Sequence, residues 1–292
     1  MRGLEDFAEI IKPNEPLAPY TYFKLGGPAE ALVQPRSREE LTAVLKRCNE
    51  QQIPLRILGG GSNLLVRDEG VRGAVLRLNA PVFTALHVEG KRVQASSGAS
   101  LAALISESAR RGLAGLESLV GIPGTVGGAL RYNAGDRSGE IGQFVRRVEV
   151  MDEHGRIEHR ERDELRFAYR SSNLDDPVLL SAEFELETDS ADAIVKRMRK
   201  AWIQRKAGQP LSFQSTGRVF KNPRGLNAAS LIEQAGLAKT RVGGAEVSDR
   251  NANFIVADAN ATARDVLRLI DMVRGRVKER FAVDLELEIA VW

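Results

Sequence analysis

Cysteine occurs once in the 292 residues, at Cys48, so no disulfide can close within the chain. Leu41, Val44, Leu45 and Cys48 follow helical spacing, which makes the thiol a small core group and fits a reducing compartment. Histidine is nearly as scarce. His87, His154 and His159 all lie in charged, turn-rich or strand-like surroundings, too little material for a metal site or a histidine-based triad. No apolar run approaches the roughly 20 residues of a membrane span. The opening Met-Arg-Gly-Leu-Glu-Asp has no apolar leader core, and a cytoplasmic protein is the expectation. Neither sign of charge dominates: 42 basic against 39 acidic residues leave a net charge of +3, which makes no case for a nucleic-acid partner. The oligomeric state is left open by the sequence, and a monomer is compatible with it. With 43% hydrophobic and 28% charged residues the composition is that of an ordinary globular protein, long enough for two or three units sharing cores.

Glycine, by contrast, is plentiful and clustered. The stretch from Gly121 to Gly135 reads Gly-Ile-Pro-Gly-Thr-Val-Gly-Gly-Ala-Leu-Arg-Tyr-Asn-Ala-Gly. Pro123 fixes φ just before Gly124, Thr125 adds a hydroxyl, and the glycines allow several N–H groups to be aimed at one anion. Alone, this is either a phosphate cradle or a plain surface loop. A second cluster, Gly59-Gly60-Gly61-Ser62-Asn63-Leu64-Leu65, directly follows the apolar run Leu55-Arg56-Ile57-Leu58 and has the same chemistry. One diphosphate could use both. Neither is a dinucleotide fingerprint opening a helix, and neither is a P-loop, because no Gly-Lys-Ser/Thr follows.

The pattern along the chain mixes strands and helices. A small βαβ-type unit is expected over 1–80, with a strand at Ala31–Val33, the helix of Cys48 and strands at 55–58 and 74–78. A second unit over 81–189 begins with a hairpin turning at Glu89-Gly90 and a helix from Ser100 to about Arg111, buried through Leu101, Leu104 and Ile105. It also holds strands at 147–151, 156–159 and 178–186. From Ser190 a helix presents Ile194, Met198, Ala201 and Trp202 on one face. The last unit, 190–292, contains helices at 228–235 and from Thr262 to about Phe281, the latter with a capping-box start and Val266, Ile270, Val273 and Val277 inward. Its final strand, 285–291, carries Glu288.

The two glycine stretches resemble the flavin-binding segments of the UDP-N-acetylenolpyruvoylglucosamine reductase family. The likeness extends, in order, through Thr21–Ala29, Phe167-Ala168-Tyr169-Arg170-Ser171-Ser172, Val219-Phe220-Lys221-Asn222-Pro223, Leu231–Leu237 and Glu286-Leu287-Glu288-Ile289. It implies an α+β fold: an FAD-binding domain of the vanillyl-alcohol-oxidase/PCMH type in two subdomains, then an α+β substrate domain. The compact Tyr169 to Gly217 interval matches the family's shorter subtype. FAD is the implied cofactor and NADPH the co-substrate. The implied reaction is reduction of UDP-N-acetylglucosamine enolpyruvate to UDP-N-acetylmuramate, a peptidoglycan precursor.

On the same resemblance, Gly59, Gly60, Gly61, Ser62, Asn63 and Leu64 hold the cofactor together with Gly121, Ile122, Pro123, Gly124, Thr125, Gly127, Gly128, Asn133, Ala134 and Gly135. Arg170 has the planar, permanent charge suited to a carboxylate whose charge grows as hydride arrives, and Glu288 assists it. Tyr169, Lys221, Asn222, Gln234 and Arg241 fall in segments that bind the UDP-sugar, although Asn222 and Gln234 could equally cap loops. Two positions depart from the family. Leu287 replaces a proline, and Gly217-Arg218 stands where relatives read Gly-Ser or Gly-Cys, the proton donor. A guanidinium with a pKa above about 12 is a poor acid at neutral pH. Arg218 could orient a water or pair with the substrate carboxylate, leaving protonation to Ser215 or Thr216. Two rivals remain: another FAD oxidoreductase on this scaffold, and a flavin- or UDP-sugar-binding paralogue that has lost turnover through Arg218.

Overall fold

A computed structural model describes residues 3–210, 214–215 and 217–292, and divides the chain into two units by its contacts. The first comprises Met1–Pro13, Glu30–Gly60 and Arg72–Gln204; the second comprises Asn14–Ala29, Gly61–Val71 and Arg205–Trp292. This partition cuts across the linear division at 80 and 189, because two N-terminal stretches pack with the C-terminal residues.

The first unit has two cores. Helix α1 (Arg38–Glu50) starts where the Ser37 hydroxyl accepts the Glu40 N–H, and buries Leu41, Val44, Leu45 and Cys48. These residues share a core with Ala31 and Val33 of strand Pro28–Val33 and with Ala74 and Leu76 of strand Val71–Leu76. Burial pushes the Cys48 thiol up to about 11, so it behaves as a small apolar group. After the single turn α2 (Pro81–Thr84), a five-stranded antiparallel sheet runs in the spatial order Ile157–Glu161, Val145–Met151, Val178–Glu185, Arg92–Ser96, Leu86–Glu89. Its central strand faces both cores. Val178 and Leu180 pack with the α1 side, whereas Leu179, Ala182 and Phe184 pack against helix α3 (Leu101–Arg110) and the short helix α4 (Val126–Arg131). A register shift produces this split: Glu149 pairs with Ser181 and Val150 with Leu179, so Leu180 is an extra residue, and positions of the same parity on either side of it face different cores.

One charged group bridges the two cores. Arg38 Nη1 and Nη2 donate to the two Glu149 carboxylate oxygens at 2.9 Å each, and Ser181 Oγ adds a bond of 3.0 Å. Burial pushes the Glu149 pKa up, but these hydrogen bonds and the Arg38 charge outweigh it and hold the carboxylate below its ordinary range.

Helix α5 (Ala191–Ala207) follows, and it departs from the expected pattern: only Ile194 on it is buried, while Trp202 is 42% exposed. In the second unit, α6 (Ala228–Gln234) and α7 (Ala263–Phe281) cover an antiparallel sheet ordered Gln214–Ser215, Ile255–Ala257, Ala245–Val247, Arg241–Val242. Val266, Ile270, Val273 and Val277 of α7 all enter its core, joined by Phe23, Leu25 and Leu65 from the N-terminal stretches. The α7 N-terminus has the expected capping box between Thr262 and Asp265. It also has a cap from far away in sequence. Asp68 accepts the Ala263 and Arg264 N–H groups at 2.9 and 3.0 Å, placing a full negative charge where four amides would otherwise lack partners.

The expected strand over 285–291 is shorter and broken. Leu287 makes an isolated bridge to Phe220, and only Ala290–Val291 forms a strand, parallel to Leu64–Leu65. The chain changes partner between the two, which interrupts the ladder at Glu288.

Asp68→Ala is expected to lower stability by about 1 kcal/mol in urea unfolding, as loss of a helix cap does elsewhere. For Glu149 the folded pKa is depressed. Its contribution is therefore complete above the ordinary glutamate value of about 4.3 and lost as pH falls through the lower folded value. Glu149→Gln should flatten the loss of stability in that acid window relative to the native chain.

Candidate active site

The candidate residues divide between the units. In the first, the two glycine turns meet. A Cβ added at Gly60 would lie 2.7 Å from Gly124 Cα, and one at Gly59 would lie 2.7 Å from Thr125 Oγ1. Only main chain fits there. Gly124 takes φ +126°, a conformation L side chains rarely adopt, and this turns the loop back toward Gly60. Among the described residues, the Gly59, Gly60 and Gly124 N–H groups donate to no carbonyl or side chain. Such a pair of bare turns has the donor set of an anion cradle. The loop is anchored from below: Gly127 N donates to Ser97 O at 2.7 Å, Val126 N to Ala99 O at 2.9 Å, and Leu101 N to Gly124 O at 3.0 Å. Thr125 then caps α4 through its hydroxyl, which accepts the Gly128 N–H.

Arg170 occupies the second position of a two-residue turn between strands Phe167–Ala168 and Ser171–Ser172. Its φ is +55°, strained for a residue with a branched-out side chain and a mark of a position fixed by its surroundings. The guanidinium lies 5.3 Å from the Tyr169 ring centroid, and Nη1 donates to Gly135 O at 2.8 Å. Gly135 and Arg170 are thereby brought together. Asn133 is fully buried, with its side chain held by other protein groups.

In the second unit, Glu288 is held by its backbone on both sides. Its N–H donates to Val219 O at 2.8 Å, and its carbonyl accepts Asn63 Nδ2 at 2.9 Å. Asn253, not singled out in the sequence, fixes the other strand: its Oδ1 accepts Phe220 N, its Nδ2 donates to Phe220 O, and its carbonyl accepts Val219 N. A lone amide inside the apolar run Ala252–Ala257 was the available signal. Arg218, half-buried, directly precedes this clamp, and Ser215 is buried one strand over. Thr216 lies outside the described residues. Lys221 pairs with Glu286 at 3.4 Å, and Arg241 pairs with Asp258 and, at 3.7 Å, with Glu246. Asn222 Oδ1 accepts the Ala228 N–H at the start of α6, the loop-cap role open to it from sequence. Gln234 is exposed at the end of α6.

A bare glycine cradle on an α+β scaffold belongs to a class of flavin-binding proteins, and the family comparison agrees: residues 29–160 match the model described as an FAD binding domain. The fold is shared with a glucose dehydrogenase, Phl p 4.0202, at a TM-score of 0.50 and 14% identity over 63% of this chain and 44% of that one. Residues 209–292 match the C-terminal domain of UDP-N-acetylenolpyruvoylglucosamine reductase. UDP-N-acetylenolpyruvoylglucosamine reductase 2 of Symbiobacterium thermophilum is 46% identical over 284 residues, covering 97% of this chain and 92% of that protein. The crystal structure of the reductase from Thermus caldophilus superposes with a TM-score of 0.84 at 40% identity, over 97% of this chain and 98% of that one. The chain belongs to the UDP-N-acetylenolpyruvoylglucosamine reductase family.

Gly60→Ala forces the two turns apart. Binding of FAD to the stripped protein, followed by absorbance titration, is expected to weaken at least about tenfold, the cost of one methyl group in a closed backbone contact.

Proposed function

We propose that this chain is an FAD-dependent, NADPH-consuming reductase that converts UDP-N-acetylglucosamine enolpyruvate to UDP-N-acetylmuramate for peptidoglycan synthesis. The observation that carries the reading is the junction of Gly59–Gly60 with Gly124–Thr125, two turns of unused amides with no room for side chains. These amides would hold the cofactor diphosphate, with Ser62, Asn63 and the Gly121–Gly128 loop flanking them. When bound, FAD supplies the hydride, taken from NADPH, that reduces the enolpyruvyl double bond.

The protein's own work is placement and charge. Arg170, with its guanidinium fixed at Gly135 O, would pair with the enolpyruvyl carboxylate and stabilise the charge that grows on it. Glu288, its backbone pinned by Val219 and Asn63, would support that intermediate. Lys221 and Arg241 would receive the UDP diphosphate; their present partners, Glu286 and Asp258, are exposed carboxylates that a phosphate can displace at little cost. Tyr169, Asn222 and Gln234 complete the substrate set. A guanidinium does not release a proton at neutral pH, so the proton reaching the α-carbon would come from Ser215, from Thr216 or from a water held by Arg218. Among the described residues no helix is long and apolar enough to cross a membrane, and the substrate and product are soluble nucleotide sugars, which supports a cytoplasmic location.

The purified protein is expected to be yellow and to oxidise NADPH only when the enolpyruvyl substrate is present. Arg170→Lys should lower the rate of flavin reoxidation by substrate about 100-fold or more while leaving flavin reduction by NADPH intact, since a charge-stabilising donor of this kind contributes roughly 3 kcal/mol. A yellow protein without substrate-dependent turnover that gains it through Arg218→Ser would instead mark a binding paralogue.

A further inference from the structure

The short segment after α4 is tied to the Arg170 turn by three side-chain bonds. Asn133 Nδ2 donates to Ala168 O at 3.0 Å, Arg170 Nη1 donates to Gly135 O at 2.8 Å, and Ser172 Oγ donates to Arg131 O at 3.0 Å. The hairpin's far end is closed off as well, because a Cβ at Gly142 would fall 2.3 Å from the Phe167 ring. Asn133 is the hub of this arrangement. Its two amide hydrogens go to Ala168 O and to Glu140 Oε2 at 2.7 Å, its Oδ1 accepts the Gly142 N–H at 3.1 Å, and its own N–H donates to Leu130 O at 3.2 Å. The orientation of the amide is chemically forced, since a carbonyl and a carboxylate can only accept and a main-chain N–H can only donate. Asn133 is 0% exposed and sits at φ +44°, a conformation asparagine tolerates better than most residues. Both amide hydrogens and one lone pair of the carbonyl oxygen are thus engaged with protein groups, so the side chain keeps no donor for a cofactor.

We propose that Asn133 is a positioning residue for Arg170: it sets the height of the Tyr169–Arg170 turn relative to the glycine cradle, and so the placement of the guanidinium. This rests on the reading that Arg170 holds the substrate carboxylate. Helix α4 joins the cradle to the turn: its N-cap Thr125 lies beside Gly59, and it ends two residues before Asn133. Fixing one end of a six-residue helix to the diphosphate loop and the other to the Arg170 hairpin makes a rigid spacer of about 9 Å, at 1.5 Å per residue.

The test is the double variant Asn133→Asp with Glu140→Gln. Aspartate keeps the acceptor for Gly142 and glutamine restores the bond between positions 133 and 140, while the donor to Ala168 O is replaced by a carboxylate oxygen that repels it and the negative charge moves from position 140 to the buried position 133. FAD content is expected to match the native protein and flavin reduction by NADPH to stay within about twofold, whereas the thermal midpoint falls. Reoxidation by the enolpyruvyl substrate should slow roughly 10- to 100-fold, the effect of a small misplacement at a charge-stabilising group. Arginine labelled with ¹⁵N gives a second readout on flavin-free protein: the signal of the buried Arg170 Nε, identified by its loss in Arg170→Lys, should move to the position of mobile arginines. Loss of FAD would make Asn133 a cofactor ligand and overturn the proposal. So would native reoxidation or an unmoved Nε signal. If native protein is not reoxidised by the substrate, the functional reading fails, and the Nε signal still judges the tether. Should the double variant not fold, Ser172→Ala removes the neighbouring tether; at least a threefold slower reoxidation with full FAD content is expected, and no slowing would overturn the proposal.

Discussion

The contact on which the first unit's chemistry depends is one of main chain against main chain. Gly60 approaches Gly124 so closely that it cannot carry a side chain, the φ of +126° at Gly124 disfavours one there, and among the described residues the Gly59, Gly60 and Gly124 N–H groups have no protein acceptor. A backbone cradle has an advantage over a cluster of lysines: its donors are fixed before any ligand arrives, so little ordering entropy is lost on binding. The loop is held in that posture by bonds from Gly127, Val126 and Leu101, all on the ladder that joins it to α3. Because α4 springs from the same loop, whatever fixes the cradle also fixes what α4 carries.

The second unit holds its candidate acid by a different device. Glu288 lies where the final stretch changes partner, between Val219 on one side and Asn63 on the other. An unbroken strand would have alternated Glu286 and Glu288 on one face with equal exposure. The break leaves Glu286 exposed and Glu288 half-buried, which gives two chemically identical residues different surroundings.

Much of this was legible in the residues. The helices announced themselves by spacing and caps: Leu41 to Cys48, Leu101 to Ile105, and Thr262 with Val266 to Val277 all lie where periodicity puts them. The first glycine stretch alone was open to two readings, a phosphate cradle or a plain surface loop, and it was the second stretch and the family resemblance that favoured the cradle. What escaped was long-range. Asp68 caps a helix nearly two hundred positions away, a pairing for which local sequence carries no signal, and the lone amide in Ala252–Ala257 marks Asn253 without naming Phe220 as its partner. Asn133 was visible as part of the glycine motif but not as the hub of a buried network, because its partners Ala168 and Gly142 contribute only backbone atoms, which have no sequence identity. Trp202 illustrates the opposite failure, an apolar face that helical spacing marks as core and that the fold leaves open.

The pairing of Leu64–Leu65 with Ala290–Val291 bears on how the polypeptide matures on the ribosome. More than two hundred residues are translated after the first of these strands before the second exists, and Arg67 N must wait as long for its acceptor, Trp292 O. Until then Phe23, Leu25 and Leu65 have no completed interior to enter, and contacts so distant in sequence form slowly. The nascent molecule therefore spends most of its synthesis with greasy N-terminal segments uncovered, an interval in which chaperone capture competes with aggregation.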